Sequence, residues 1–237
     1  MKNINHYSQI WIISFILIVS VIFTLAMGIH HYGDASSYYL MVVSLLKDGD
    51  FILDQKDITR CNDNIKNIPK GAYILPAGAY IFIGEDGTIR YGKPILYPLL
   101  TVPFFLLLGR RGFGLLNGLF LGGSIAFCYL FLKRYFNKKD SLLIAATFFF
   151  CSFMPVYVSW IHPETMLFFV CSLCMWLWLC KDKTTLTGLI IGIISSVKIL
   201  FLLLLLPLTV VLASKKKFKQ LSEALGASLL GMGFILL

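Results

Sequence analysis

The chain has 237 residues, of which 58% are hydrophobic and only 14% carry a charge, and its mean hydropathy is +0.80. An ordinary soluble domain is about 45–50% apolar and about 25% charged, so this chain has too few charges to cover a water-facing surface. That excludes a soluble enzyme, a nucleic-acid-binding module and a disordered tail. The net charge of +9 is expected to mark the cytoplasmic loops of a membrane protein.

The first apolar run, 9–29, follows a short start that contains Lys2. It is longer than the about 7–15 apolar residues of a secretory signal, so it predicts an uncleaved membrane span, with cleavage near Gly28 as the alternative. A polar region then extends from His30 to about Lys93. Further apolar runs follow at 95–109, 112–132, 141–161, 164–180, 184–197, 199–213 and 222–237.

Clusters of basic residues separate several of these runs, at 133–139, 181–183 and 215–219. The positive-inside rule places all of these clusters on the cytoplasmic side of the membrane. The run 95–109, about 22 Å long as a helix, is then an interfacial or re-entrant helix, since the hydrocarbon core is about 30 Å thick. The same rule requires 184–213 to make two short passes, broken near Lys198.

Together these placements predict an all-α polytopic membrane protein with about seven transmembrane helices. The N-terminus is cytoplasmic, and a large first extracytoplasmic loop, 30–111, carries juxtamembrane helices and a small β-hairpin. We expect the chain to form a single transmembrane module, 1–237, in the plasma (inner) membrane. Because the last run ends without a polar flank, we expect it to be the N-terminal part of a longer protein, truncated at its C-terminus.

Within the outer loop, Asp34 precedes an apolar-periodic stretch that suits a helix lying along the membrane surface with its apolar face down. An aspartate there caps the exposed N–H groups of the helix, or it serves as a catalytic carboxylate at the water–lipid boundary, and both roles are compatible. Most of the charged residues in the polar stretch 48–70 are expected to be solvated. Residues 79–91 alternate on either side of a glycine turn and predict a β-hairpin.

Other ionisable residues gather on the same outer face. Glu164 follows a helix-starting proline, where it either caps the next helix or, at the mouth of a span, belongs to a functional site. Lys198 lies between two apolar half-spans, where it either faces an anion or extends to the interface. The predicted topology places Arg110 and Arg111 on the extracytoplasmic side, contrary to the positive-inside tendency. Either they bind a partner on that side, or their side chains extend to the membrane interface.

Carboxylates and cations together at a lipid surface suit a reaction on a lipid-linked anionic substrate. A carboxylate can take a proton from an acceptor hydroxyl as general base, and cations can hold and stabilise a leaving phosphate. No nucleotide-cradling glycine loop occurs in the sequence, which argues against a nucleotide sugar or ATP as the substrate.

Four segments, in this order, resemble the GT-C superfamily of integral-membrane glycosyltransferases, especially the bacterial relatives of protein mannosyltransferases and of the lipid A aminoarabinose transferase. The segment 33–50 is similar to their first outer loop, in which an acidic residue precedes a juxtamembrane helix that ends in Gly-Asp. Arg-Tyr-Gly-Lys-Pro at 90–94 looks like the passage into their second span. Ile-His-Pro-Glu at 161–164 is similar to their Tyr-Pro-Glu or Asp-Pro turn, and 188–198 to their Gly-Leu…Lys break.

The resemblance implies a membrane glycosyltransferase, a hexosyl- or pentosyltransferase that takes the sugar from a polyprenyl-phosphate donor. The acceptor is a glycan, lipid or protein on the extracytoplasmic face, and transfer inverts the anomeric carbon. Asp34 would be the general base, and Glu164 a second acidic residue that orients substrate or a divalent metal, although Gly92 stands where some relatives carry an acidic residue. The candidates for binding substrate or lipid phosphate are Lys93, Lys198, Arg110, Arg111 and His162.

Two other classes of function are compatible with the sequence. The chain could be a non-catalytic or truncated relative that acts as a membrane assembly partner, or a transporter or flippase of lipid-linked sugars. A transporter predicts charges near the centre of several spans, whereas here the charges lie at span ends and in one loop. That pattern favours chemistry at the membrane surface, although a shared fold does not fix function.

Overall fold

The computed structural model describes residues 2–30, 34–54, 56–57, 81–83, 87 and 89–236, and this part of the chain is mostly helical. The helices are α1 (Lys2–Met27), α2 (Ala35–Lys47), α3 (Leu96–Leu108), α4 (Arg111–Leu132), α5 (Lys138–Phe150), α6 (Met154–Val158), α7 (Glu164–Lys181), α8 (Thr184–Ser195), α9 (Leu205–Ser214) and α10 (Phe218–Leu236). A 3-10 helix, Ile199–Leu204, precedes α9, and strands β1 (Ile81–Ile83) and β2 (Ile89–Tyr91) form a sheet.

Among the described residues, three helical segments are long and apolar enough to cross a membrane: Tyr7–Met27, Arg111–Leu132 and Glu164–Lys181. They coincide with the predicted runs 9–29, 112–132 and 164–180. On α1, large apolar side chains such as Trp11 and Phe15 are exposed, as expected for a helix that faces lipid. These features indicate a membrane protein, while the seven-span arrangement and its orientation stay predictions.

The run 141–161, predicted as a single span, is not one helix, and this prediction is wrong. α5 ends at Phe150, and the five-residue helix α6 begins at Met154. Pro155 explains the break, because its ring has no N–H to donate and clashes with the carbonyl four residues earlier in a continuous helix. The 13 residues of α5 extend only about 20 Å, less than the about 30 Å of a hydrocarbon core.

The chain divides into two compact units. Unit 1 comprises Met1–Ile16, Phe120–Ser152 and Met166–Leu237, and unit 2 comprises Leu17–Leu119 and Phe153–Thr165.

In unit 1, the break predicted near Lys198 is confirmed. α8 ends at Ser195, and Lys198 has an extended backbone, with φ −143° and ψ 111°, immediately before the 3-10 helix. α8 then packs closely against α10 through its glycines. A Cβ atom on Gly192 would lie 2.0 Å from the carbonyl oxygen of Ser228, and one on Gly188 would lie 2.1 Å from that of Ala224. The absence of side chains at these two positions therefore allows the helix backbones to touch.

Replacing Gly192 with Ala is expected to lower the free energy of unfolding by about 1–3 kcal/mol, because the added methyl group overpacks the α8–α10 contact. Gly226 in α10 is the matched control, since a Cβ atom there meets nothing within 4 Å. Gly226→Ala should be neutral or stabilising by up to about 1 kcal/mol through helix propensity. The measurement is the thermal unfolding midpoint of the detergent-solubilised protein, and equal midpoints for the two variants would contradict the close contact.

In unit 2, α2 is a core helix, and the prediction of a surface helix with one covered face is wrong. Every residue from 37 to 44 is buried, and two turns of helix are covered on all sides. Tyr38 packs edge-on against Tyr97 of α3, with ring centroids 5.6 Å apart, and Tyr39 packs against Phe105 and Phe113. The apolar periodicity identified the helix but not the elements that cover its other faces.

The β-hairpin predicted within 79–91 is confirmed. Ile81 pairs with Tyr91 and Ile83 with Ile89 in an antiparallel register, and Gly87 has a φ of +77°, a conformation that glycine adopts without strain. In the described part of the polar stretch 48–70, Asp48 and Lys56 are exposed, as expected for most of its charged residues, whereas Asp57 is buried. Residues 58–70 lie outside the described part of the chain.

Candidate functional site

Four of the predicted site residues lie together in unit 2: Asp34, Lys93, His162 and Glu164. We call this group the polar cluster. Asp34 immediately precedes α2, Lys93 lies in the turn between β2 and α3, and His162 and Glu164 lie at the start of α7. Three segments that are far apart in the sequence therefore each contribute to one site.

Asp34 and Lys93 form a direct ion pair. The Lys93 Nζ donates to the Asp34 Oδ2 over 2.5 Å, and the side chains are 15% and 26% exposed, so both keep some access to solvent. Asp34 does occupy the N-cap position of α2, but its carboxylate accepts no hydrogen bond from the N–H groups of the helix. The helix-capping role predicted for Asp34 from its position is therefore wrong. Its carboxylate pairs with Lys93 in the polar cluster instead.

His162 lies between the two carboxylates. Its Nδ1 is hydrogen-bonded to the Glu164 Oε2, and its Nε2 lies 3.8 Å from the Asp34 Oδ2. The Glu164 bond fixes the orientation of the imidazole ring, which leaves the other ring nitrogen facing Asp34. Glu164 therefore bonds to a neighbouring side chain of the cluster, and it orients His162 rather than standing alone at the mouth of a helix.

Tyr38 is a member of the site that sequence reasoning missed, because it was counted only as part of an apolar helix face. Its ring contacts that of His162 edge-on, with centroids 5.6 Å apart. Burial raises the pKa of the Tyr38 hydroxyl, and the negative charges of Glu164 and Asp34 raise that pKa further. The hydroxyl therefore stays protonated at ordinary pH and can act as a hydrogen-bond donor beside the two carboxylates.

Lys93 is positioned by the hairpin, which is tied to α2 through the segment that follows that helix. The backbone N–H of Leu53 donates to the carbonyl of Ile89 in β2 over 2.8 Å. The Ser44 hydroxyl, on α2, donates to the Asp50 Oδ1 over 3.0 Å. These bonds connect the helix that follows Asp34 to the strand that precedes Lys93, and so set the distance between the two charges.

His162 and Glu164 are positioned by Asn117, whose side chain is fully buried in α4. The Asn117 amide nitrogen donates to the carbonyls of Val158 and Trp160, and its oxygen accepts from the hydroxyls of Tyr97 and Thr165. The sequence alone predicted no role for Asn117. The available signal was a lone asparagine in an apolar helix, since an amide in such surroundings requires partners.

Replacing Asn117 with Ala is expected to lower the free energy of unfolding by about 2–4 kcal/mol, because it leaves buried carbonyl and hydroxyl groups without partners. Thr165→Val is the matched control, since it removes only one of the four hydrogen bonds and should cost about 1 kcal/mol. Thermal unfolding of the two variants in the same detergent measures the difference. An Asn117→Ala loss no larger than that of Thr165→Val would contradict the scaffolding role.

The other predicted site residues are placed differently. Arg110 donates from its Nη2 to the carbonyl of Ile29 over 2.8 Å, and burial lowers the pKa of its guanidinium. Its buried Nε has no hydrogen-bond partner among the described residues. Arg111 is exposed at the start of α4. Lys198 is exposed and belongs to unit 1, so it is not one of the four residues that unit 2 brings together. The roles predicted for these three residues stay predictions.

The polar cluster does not fit a resident divalent metal. No group of three or more His, Cys, Asp or Glu side chains is arranged to hold a metal ion within the ranges that the structure describes. The Asp34 carboxylate is already bound to the Lys93 ammonium, and the Glu164 carboxylate to His162. A divalent cation needs several oxygen ligands directed at one point, and the ammonium group of Lys93 repels a cation there. We therefore derive no step through a metal.

No family model, no curated protein and no solved structure matches this chain.

Proposed function

We propose that this chain is an integral-membrane glycosyltransferase that moves a sugar from a polyprenyl-phosphate-linked donor to an acceptor hydroxyl on the extracytoplasmic face. The observation that carries the proposal is the convergence of Asp34, Lys93, His162 and Glu164 in one partly exposed cluster. A base for the acceptor and a cation for a phosphate leaving group thus lie side by side. The likeness of the four sequence segments to GT-C enzymes supports the same assignment.

In the proposed reaction, Asp34 accepts the proton of the acceptor hydroxyl as general base. The acceptor oxygen forms a bond to the anomeric carbon, and the bond from that carbon to the phosphate oxygen breaks. The electron pair leaves with the polyprenyl phosphate, whose growing negative charge Lys93 stabilises. Because the attack comes from the face opposite the leaving group, the product has the inverted anomeric configuration.

Glu164 and His162 act as positioning residues in this scheme. The Glu164–His162 hydrogen bond holds the imidazole beside Asp34 and fixes its orientation in the site. The buried Tyr38 ring packs beside the imidazole, and its protonated hydroxyl offers a hydrogen-bond donor within the polar cluster. The sugar, and the choice among a glycan, lipid or protein acceptor, are open within this proposal.

The proposal is tested with the purified chain in proteoliposomes, given a radiolabelled polyprenyl-phosphate sugar and membranes from the source cells as acceptor. The expected result is label in the acceptor fraction together with free polyprenyl phosphate. Movement of intact donor across the bilayer without transfer would identify a flippase instead. Neither transfer nor movement would identify a non-catalytic assembly partner, and both outcomes contradict the proposal.

The proposed orientation has a separate test at Cys61, a residue outside the described part of the chain and within the predicted outer loop. A membrane-impermeant thiol reagent is expected to label Cys61 in intact cells, because the positive-inside rule places the basic clusters, and not this loop, in the cytoplasm. A variant with Cys61→Ser is the control for labelling of other cysteines. Labelling of Cys61 only after lysis would reverse the orientation.

A further inference from the structure

The Lys93 ammonium and the His162 imidazole converge on one atom of the protein itself. The Asp34 Oδ2 lies 2.5 Å from the Lys93 Nζ and 3.8 Å from the His162 Nε2. All three side chains are partly exposed, at between 15% and 26%, so an external group can reach them. The Asp34 carboxylate thus holds a negatively charged oxygen against the Lys93 ammonium donor, with the His162 imidazole beside it.

A carboxylate oxygen and a phosphate oxygen satisfy an ammonium donor in the same way, through a short charge-assisted hydrogen bond. They also repel each other, because both carry negative charge. A phosphate that binds to Lys93 therefore competes with the Asp34 carboxylate for the same cation. We therefore do not expect the phosphate and the Asp34 carboxylate to form full ion pairs with Lys93 at the same time.

The backbone at Asp34 permits this exchange without unfolding of the helix. The Asp34 carbonyl accepts a hydrogen bond from the N–H of Tyr38, which ties the main chain to the first turn of α2. The carboxylate, in contrast, accepts no bond from the helix N–H groups. Rotation of the side chain alone is enough to separate the Asp34 carboxylate from Lys93.

We propose that Asp34 occupies the phosphate position of the resting site and that a phosphate group exchanges with it at Lys93, which frees the carboxylate to act as base. This inference rests on the proposed function and adds an order of events to it. Until the phosphate of the donor binds, the base is held in an ion pair with Lys93. Donor binding therefore precedes activation of the acceptor hydroxyl.

The test measures binding of farnesyl phosphate to the full chain in nanodiscs, for the wild type and for Asp34→Asn, Lys93→Met and the double variant. Asp34→Asn is expected to tighten binding about tenfold, because the internal competitor loses its charge. Lys93→Met should weaken binding. In the Lys93→Met background, Asp34→Asn should change the affinity by less than about twofold, since no cation is left to compete for.

Asp48→Asn controls for the general loss of one negative charge, because Asp48 is exposed at the opposite end of α2, and it should leave the affinity unchanged. Asp34→Ser is a second variant in case the asparagine disturbs folding. Inorganic phosphate and farnesol are run beside farnesyl phosphate. A gain on Asp34→Asn that is seen with inorganic phosphate as well identifies the phosphate group as the recognised part, and a gain restricted to farnesyl phosphate identifies a lipid phosphate.

An unchanged or weaker affinity of both Asp34 variants would overturn the exchange, and so would an equal gain with and without Lys93. If the wild type still transfers sugar in either case, the exchange fails while the proposed function stands. If the wild type transfers no sugar and no variant binds farnesyl phosphate, the proposed function fails and the exchange fails with it.

Discussion

Replacing Asp34 with Asn is expected to lower the rate constant of sugar transfer by about 10²- to 10⁴-fold, the contribution typical of a general base. Asparagine has nearly the same shape as aspartate but cannot accept the acceptor proton. Because the amide no longer competes with the donor phosphate for Lys93 through a negative charge, the KM for the donor should not rise. A large fall in kcat without a rise in KM therefore distinguishes loss of the base from loss of donor binding.

Asp48→Asn is the control for this experiment, because it makes the same chemical change at an exposed position at the end of the same helix. We expect it to transfer sugar at the wild-type rate. The measurement is the initial rate of label transfer at several donor concentrations in proteoliposomes. Wild-type rates for Asp34→Asn would remove Asp34 from the role of base.

Replacing Lys93 with Met is expected to lower kcat/KM for the donor by about 10²- to 10³-fold, because the variant lacks the cation that faces the leaving phosphate. Methionine keeps much of the length of the lysine side chain without its charge. The loss should appear partly as a higher KM, since Lys93 contacts the phosphate in the bound donor as well as in the transition state. Kinetics over a range of donor concentrations separate the two effects.

Lys47→Met provides the matched control, since Lys47 is exposed at the last turn of α2 and plays no part in the polar cluster. Lys93→Met also leaves the Asp34 carboxylate without its ion-pair partner, so its thermal unfolding is measured in parallel. A variant that loses stability but keeps the wild-type kcat/KM would show that Lys93 has only a structural role.

Much of the fold could be predicted because long apolar runs and their interruptions are local properties of a sequence. The helices α1, α4 and α7 follow runs long enough to cross a bilayer, and the break at Lys198 follows from two short runs that meet at a charge. The hairpin follows from alternation on either side of Gly87. Each of these features depends on residues within about twenty positions of one another.

The incorrect predictions fall where tertiary contacts or a single residue determine the structure more strongly than the pattern of apolar residues does. Pro155 divides a largely apolar run, because its ring lacks an N–H donor and obstructs the preceding turn of the helix. α2 carries the periodicity of a surface helix, but packing by Tyr97, Phe105 and Phe113 from other segments covers it. Periodicity describes one face of a helix and carries no information on what covers the others.

For the site, the sequence supplied the charged residues but not their pairing. Asp34 and Lys93 are 59 positions apart, and no local pattern predicts that they form an ion pair. Asn117 and Tyr38 were missed for the same reason, because their roles come from hydrogen bonds and ring contacts with distant segments. Isolated charged residues near the ends of spans can be identified from a sequence. The hydrogen bonds that orient them join distant segments and become visible only in the folded structure.

In the proposed function, the polar cluster carries out a single displacement at an anomeric carbon, with Asp34 as base. The most direct measurement is the anomeric configuration of the sugar in the product, determined by NMR after transfer by the purified chain from a polyprenyl-phosphate donor of known configuration. A single displacement predicts a product of inverted configuration, and the product should be lost in Asp34→Asn. A product of retained configuration, or no glycosylated product from the wild-type chain, would contradict the proposed function.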